Sequence, residues 1–218
     1  MRILTYSPYM IELFTGESSQ GIVYTVMDGQ CAEDTWSLLN GHKLALAVIS
    51  GVDWNRELSP WSVPKAFRGG ENFGGQGPVL LDMLTHQIIP LTEEKLGYVP
   101  KSRGIAGYSL AVLFALWSVY QTGLFDRAAS ISSSLWFDGF LEFMKANTPK
   151  VKLIYLSLGD KEKAAKNPRL AAVEDCTAQA AELLRAQGIP VAFETNRGGH
   201  FQDVPARIAR GIQALEEK

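Results

Sequence analysis

The chain of 218 residues predicts an α/β architecture: a mostly parallel eight-stranded sheet with helices on both faces. Three observations carry that expectation. Strand-like and helix-like apolar runs alternate along the sequence. The later strand-like runs are continuously apolar, as expected of strands covered on both faces. The length suits one domain over residues 1–218 with a sizeable core, and no linker, internal repeat or low-complexity segment divides it.

The first two strand candidates, Arg2–Ser7 and Met10–Thr15, are short and predict antiparallel pairing at one edge. Gly21–Met27 and Leu44–Ser50 follow, with a helix over Ala32–Leu39 between them. A helix over Pro78–Ile89 leads to the strand Arg103–Tyr108 and the apolar helix Leu110–Gln121. Ala128–Ser132, a helix over Phe137–Ala146, Lys152–Leu158, a helix over Leu170–Gln187 and Val191–Thr195 continue the alternation. Gly188 and Pro190 stop the fifth helix, and Pro205–Glu217 reads as the last. One connection breaks the rhythm. Val52–Gly77 is long, rich in Gly and Pro, and carries Trp54, Trp61, Phe67 and Phe73. Four aromatics argue against disorder. Two readings stay open: a binding loop, or a loop folded over a sheet edge around its own aromatic core.

Composition narrows the classes of function. Net charge is −2 with no block of like charges, so nothing points to nucleic acid. The longest apolar stretches fall far short of a membrane span, and the N-terminus lacks the apolar region of a signal peptide. Cys31 and Cys176 belong to no Cys-x-x-Cys or Cys/His cluster, which speaks against structural zinc. A reducing, cytoplasmic compartment is the default expectation. The sequence sets no oligomeric state.

The most informative stretch is Gly107-Tyr108-Ser109-Leu110-Ala111, between a strand-like and a helix-like run. A serine on a sharp strand-to-helix turn projects its hydroxyl from the top of a sheet. The helix N-terminus beneath it offers N–H groups to a developing oxyanion. Small residues are needed two before and two after, where strand and helix approach closely; Gly107 and Ala111 supply them. A serine hydroxyl needs a neighbouring base. Of the three histidines, His42 lies in a turn and His86 within an amphipathic helix. His200 lies in Asn196-Arg197-Gly198-Gly199-His200-Phe201, just past the last strand, on the sheet edge where Ser109 sits. An acid belongs between them in chain order. Asp160 and Glu162 both follow the penultimate strand, and either can serve. The oxyanion donors expected are the Leu110 N–H and the Gln30 N–H, the latter after the Asp28-Gly29 turn.

With these parts in order, the chain resembles the α/β-hydrolase superfamily, most of all the esterase branch that includes esterase D, the mycolyltransferase antigens and the siderophore trilactone esterases. The residues that carry the resemblance are Val23–Gly29, Gly104–Ala111, Ser130–Phe137, Leu158–Glu162 and Gly198–Phe201, spread over nearly the whole chain. The resemblance implies a serine esterase acting on a small to medium ester, with Ser109 as nucleophile, His200 as base and no metal or organic cofactor. In many such enzymes the acid stands three residues after a glycine, which favours Glu162 over Asp160 as the group that orients His200. The residue after the Asp-Gly turn lines the oxyanion hole in this branch, which supports Gln30. Relatives usually carry Gly where Val112 stands. No large cap domain is expected, so Trp54, Trp61 and Trp136 are candidates to line the substrate pocket, with Asp53, Asn55 and Arg56 as polar contacts. Thioester hydrolysis or acyl transfer at the same site is one alternative; a non-catalytic ligand-binding relative is another.

Overall fold

In the computed structural model, residues 1–39, 41–66 and 68–216 are described. Eight strands form one sheet: β1 (Arg2–Tyr6), β2 (Tyr9–Phe14), β3 (Gly21–Val26), β4 (Leu44–Ser50), β7 (Arg103–Tyr108), β8 (Arg127–Ile131), β9 (Leu153–Gly159) and β10 (Val191–Asn196). Two-residue strands β5 (Ser62–Val63) and β6 (Phe73–Gly74) make a separate ribbon. The sheet order is β1-β2-β4-β3-β7-β8-β9-β10. Within this sheet, among the described residues, the β1–β2 and β2–β4 pairings at one edge are antiparallel and the rest are parallel. The expected mostly parallel sheet of the α/β-hydrolase fold is therefore present.

Helices cover both faces. α1 (Gly29–Ser37) and α9 (Val204–Gln213) pack on one face against residues such as Val23, Leu46, Ile131 and Tyr155. The other face carries α3 (Gly77–Met83), α5 (Ala111–Gln121), α6 (Phe140–Ala146) and α8 (Val173–Ala186) around the larger core. Ten of the eleven residues of α5 are buried, which is why its sequence is apolar all round. Each large apolar side chain so buried stabilises the fold by about 1.5–3 kcal/mol.

Several helices differ from the sequence expectation; the one expected over Phe137–Ala146, for instance, begins at Phe140 as α6. The helix expected to end at Ile89, before Pro90, continues as α4 (Ile89–Leu96). A π turn over Leu84–Ile88, in which the Ile89 N–H bonds to Leu84 O, adds a residue and makes room for the proline ring. Glu93 then ties α4 to the sheet through Arg103 (2.5 and 2.7 Å) and Tyr24 (3.2 Å). The helix expected over Leu170–Gln187 is split. Asn167 and Pro168 start a separate turn, α7 (Pro168–Ala171), ahead of α8. α1 begins at Gly29 rather than Ala32, because the Asp28 side chain caps it by accepting from the Cys31 N–H at 2.9 Å. The helix expected over Pro205–Glu217 is α9 (Val204–Gln213), which ends short of that expectation at its C-cap Ala214; Glu217 itself lies outside the described residues. The Val52–Gly77 connection is folded rather than irregular: it holds α2 (Trp54–Glu57) and the β5–β6 ribbon. No helix among the described residues is long and apolar enough to cross a membrane.

Candidate active site

β7 turns sharply into α5 at Ser109, whose φ is 56°. That left-handed conformation costs a non-glycine residue about 1–3 kcal/mol, and it is stored where the chain needs a side chain aimed out of the turn. The Ser109 N–H is held by Ile131 O of β8 at 3.1 Å. Gly107 makes the turn sterically feasible: a Cβ there would lie 2.4 Å from the backbone carbonyl atoms of Ala111. Val112, one residue on, is fully buried in the core.

The Ser109 hydroxyl lies 2.9 Å from His200 Nε2. His200 Nδ1 lies 2.8 Å from Glu162 Oε2. Glu162 Oε1 accepts from the Gly159 N–H at 2.8 Å and from Arg207 Nη1 at 3.0 Å. Gly159 is needed at that bend, since a Cβ would meet Gly198 O at 2.3 Å. The structure therefore brings Ser109, His200 and Glu162 into one hydrogen-bonded line. Asp160 is not in it. Its carboxylate accepts from the Gly198 N–H at 2.7 Å and so fastens the loop that carries His200. Tyr108 adds a second tie by donating its hydroxyl to His200 O. His42 pairs with Glu216 at 2.7 Å and His86 with Asp82 at 3.0 Å, both on other parts of the surface.

Burial pushes the Glu162 carboxyl up, but hydrogen bonds led by those from His200 and the Gly159 N–H outweigh it and leave it below its ordinary value. A depressed carboxyl contributes stability above its unfolded pKa, about 4.3, and loses it as pH falls through the lower folded value. Wild-type melting temperature is expected to drop more steeply below about pH 4.3 than that of Glu162→Gln. Parallel curves from pH 6 to pH 3 would contradict this.

Gln30 sits in the first turn of α1, and Leu110 immediately precedes α5. First-turn N–H groups have no partner within their own helix. β3, which leads into the Asp28-Gly29-Gln30 turn, is the parallel neighbour of β7, which leads into Ser109. Both turns thus open on the same sheet edge.

A cavity of about 270 Å³ opens beside Ser109 and His200. Trp136, Leu170, Val173, Ala165 and Phe201 give it mostly apolar walls, with Ser133 and Ser134 as its polar part. Trp136 is where the sequence reading puts it. Trp61 is not: it packs among Phe137, Phe140 and Phe143, and its Nε1 donates to Asp138 O at 3.0 Å. Trp54 begins α2 as an exposed residue and does not line this cavity. Asp53 caps α2 through the Arg56 N–H, so it too serves its own helix. Phe67 lies outside the described residues. Trp61 and Phe73 do not form a core of the loop's own: their ring partners, Trp136, Phe137, Phe140 and Phe143, follow β8, so both join the main core. Ala165, Leu170, Val173 and Phe201 escaped the sequence reading. Phe201 alone carried a signal, as a large apolar residue beside the candidate base; it is 88% exposed, its ring edge-on to the imidazole at 4.9 Å.

Arg169 binds the walls together. It lies 5.4 Å over the Trp136 ring, pairs with Asp138 at 2.7 Å, and donates to Pro64 O at 3.3 Å. The loops after β4, β8 and β9 meet at this one side chain. Among the described residues no group of three or more His, Cys, Asp or Glu is arranged to hold a metal ion.

The sequence model of a family described as "Putative esterase" matches residues 7–203. A Bacillus subtilis (strain 168) protein, YbbA, described as uncharacterized, is 30% identical over 134 residues, which is 58% of this chain. That match spans 54% of YbbA, about half its length. The siderophore hydrolase EstB of Aspergillus nidulans has a similar fold, with TM-score 0.71 and 19% identity over 99% of this chain and 94% of EstB. An IroE-like serine hydrolase of Shewanella oneidensis superposes with TM-score 0.76 and 17% identity over 95% of this chain and 75% of its own.

Proposed function

The chain belongs to the Esterase family, and from that premise we propose that it is a carboxylic ester hydrolase working through a serine acyl-enzyme. The observation that supports this most is the line Ser109–His200–Glu162, with both hydrogen bonds at 2.9 Å or less. Ser109 Oγ attacks the ester carbonyl carbon while His200 Nε2 takes its proton. The carbonyl oxygen becomes an oxyanion held by the Gln30 and Leu110 N–H groups. The tetrahedral intermediate collapses, the C–O bond to the alcohol breaks, and the leaving oxygen takes the proton from His200. Water then attacks the acyl carbon as His200 takes its proton; the second intermediate collapses, the bond from Ser109 Oγ to the acyl carbon breaks, Oγ regains the proton from His200, and the acid leaves. Glu162 holds the imidazole tautomer and stabilises the imidazolium without taking the proton. Active-site titration tests this: a fluorophosphonate should label one equivalent of protein, at Ser109. A ligand-binding relative without the chemistry would remain unlabelled.

The cavity's size and apolar walls suit an uncharged small to medium group on the ester. Trp136→Ala and Phe201→Ala are each expected to raise KM several-fold for aryl esters and leave acetyl esters within twofold, since a ring contact is worth about 1 kcal/mol. Trp61→Ala should lower the melting temperature without that KM pattern. A uniform KM across the ester panel for the first two variants would remove them from the pocket. The panel includes aryl esters, acetylated sugars and a trilactone, the last because folds of this kind include siderophore hydrolases.

A further inference from the structure

Arg207 is 1% exposed, although arginine is almost never fully buried without a partner. It projects from α9, which packs across β7, β8 and β9. Its guanidinium makes three bonds: Nη1 to Glu162 Oε1 at 3.0 Å, Nη1 to Ser132 Oγ at 3.1 Å, and Nη2 to Arg197 O at 3.1 Å. These partners follow β9, β8 and β10 respectively. Ser132 is itself held in a left-handed conformation, with φ of 50°. One cation therefore touches the loop ends that carry the candidate acid and base, from beneath, without reaching Ser109.

We propose that Arg207 is the positioning residue of this site. With the Gly159 N–H it occupies Glu162 Oε1 and leaves Oε2 for His200, and as the cation on that oxygen it keeps Glu162 ionised while the imidazole gains and loses its proton. The inference rests on the Ser109–His200–Glu162 reading. The other ionisable groups around Glu162 are His200 on Oε2, Tyr108, bound to the His200 carbonyl, and Asp160, bound to the Gly198 N–H. None of these supplies a permanent positive charge, and the neighbouring Lys163 pairs with Glu174 instead, so among the described residues Arg207 is the fixed cation in contact with Glu162.

A purely structural role, fastening α9 to the sheet, predicts lost stability and an unchanged pH profile. Three readouts separate the two. Arg207→Met should lower kcat tenfold to a hundredfold on a short p-nitrophenyl ester, the range typical of lost outer-shell partners. KM should stay within twofold, and the acidic limb of kcat/KM should move to higher pH, because Glu162 without its cation takes up a proton sooner. Arg207→Lys keeps the charge and should recover part of kcat. A folded Arg207→Met with wild-type kcat and an unmoved limb overturns the proposal. If Arg207→Met fails to fold, the double variant Glu162→Gln/Arg207→Met removes both buried charges together. Its kcat should lie within about threefold of Glu162→Gln alone, as residues acting as a unit are non-additive. A further loss of tenfold or more shows that Arg207 does not act through the carboxylate, and overturns the proposal. Fluorophosphonate labelling of Ser109→Ala keeps the underlying reading separate: persistent labelling defeats the triad itself, whereas wild-type behaviour of the Arg207 variants defeats only this inference.

Discussion

Ser109→Ala is expected to retain the fold and to lose hydrolysis of a short p-nitrophenyl ester by about three or more powers of ten. The size follows from what the hydroxyl does. Without Oγ there is no acyl-enzyme, and only the oxyanion donors and substrate binding remain, which sustain a small residual rate. The fold should tolerate the change because one polar atom is removed from an elbow whose shape is set by Gly107 and by the Ser109 N–H bond to Ile131 O. Circular dichroism and thermal melting check the fold, and steady-state kinetics check the rate. Activity within tenfold of wild type, with contaminating esterases excluded, would remove Ser109 as nucleophile.

Glu162→Gln should lower kcat about a hundredfold or more, in the manner of an amide that holds the wrong imidazole tautomer. Asp160→Asn should cost less than tenfold. Its carboxylate bonds a backbone N–H, so its loss loosens the His200 loop but leaves the imidazole's partner in place. Measuring kcat and melting temperature for both variants separates chemistry from loop stability. If Asp160→Asn has the larger kcat effect, the acid is Asp160. Small, equal effects from both would leave a Ser–His pair working without an essential acid.

Much of this was legible in the sequence, for physical reasons that differ from residue to residue. The central strands of the main sheet announce themselves because doubly covered strands must be apolar throughout, as in Leu44–Ser50, whereas the edge strands β1 and β10 are largely exposed and mixed in polarity. Ser109 is legible because the elbow demands small neighbours, and His200 because a glycine pair precedes it. Glu162 and Asp160 differ by only two positions, and nothing local separates them. Their separation comes from the bend at Gly159, which faces one carboxylate to His200 and the other to Gly198. Trp61 could not be assigned locally, because its ring partners lie more than seventy residues away in the chain. The wall residues Ala165, Leu170 and Val173 sit where short elements follow one another, with Pro168 starting α7 and a break at Ala172 before α8, so no long periodicity marks them. Arg207 is hidden most completely. On an amphipathic helix that also carries Arg210, it looks like one more solvated charge, and only the assembled loops turn it into a buried one.

The clasp at Arg169 separates two kinds of fastening. Glu162 and the loop that carries His200, the candidate acid and base, are tied through Arg207, Asp160 and the Gly159 N–H. The cavity walls are tied to one another at the rim, through Arg169 and the Asn167 amide on Ala66 O. Side chains at positions 165, 170 and 201 can therefore be exchanged while the chemistry's own supports stay in place. Retargeting such a scaffold to a new ester becomes a question of redecorating a rim, with a combinatorial library confined to a few positions.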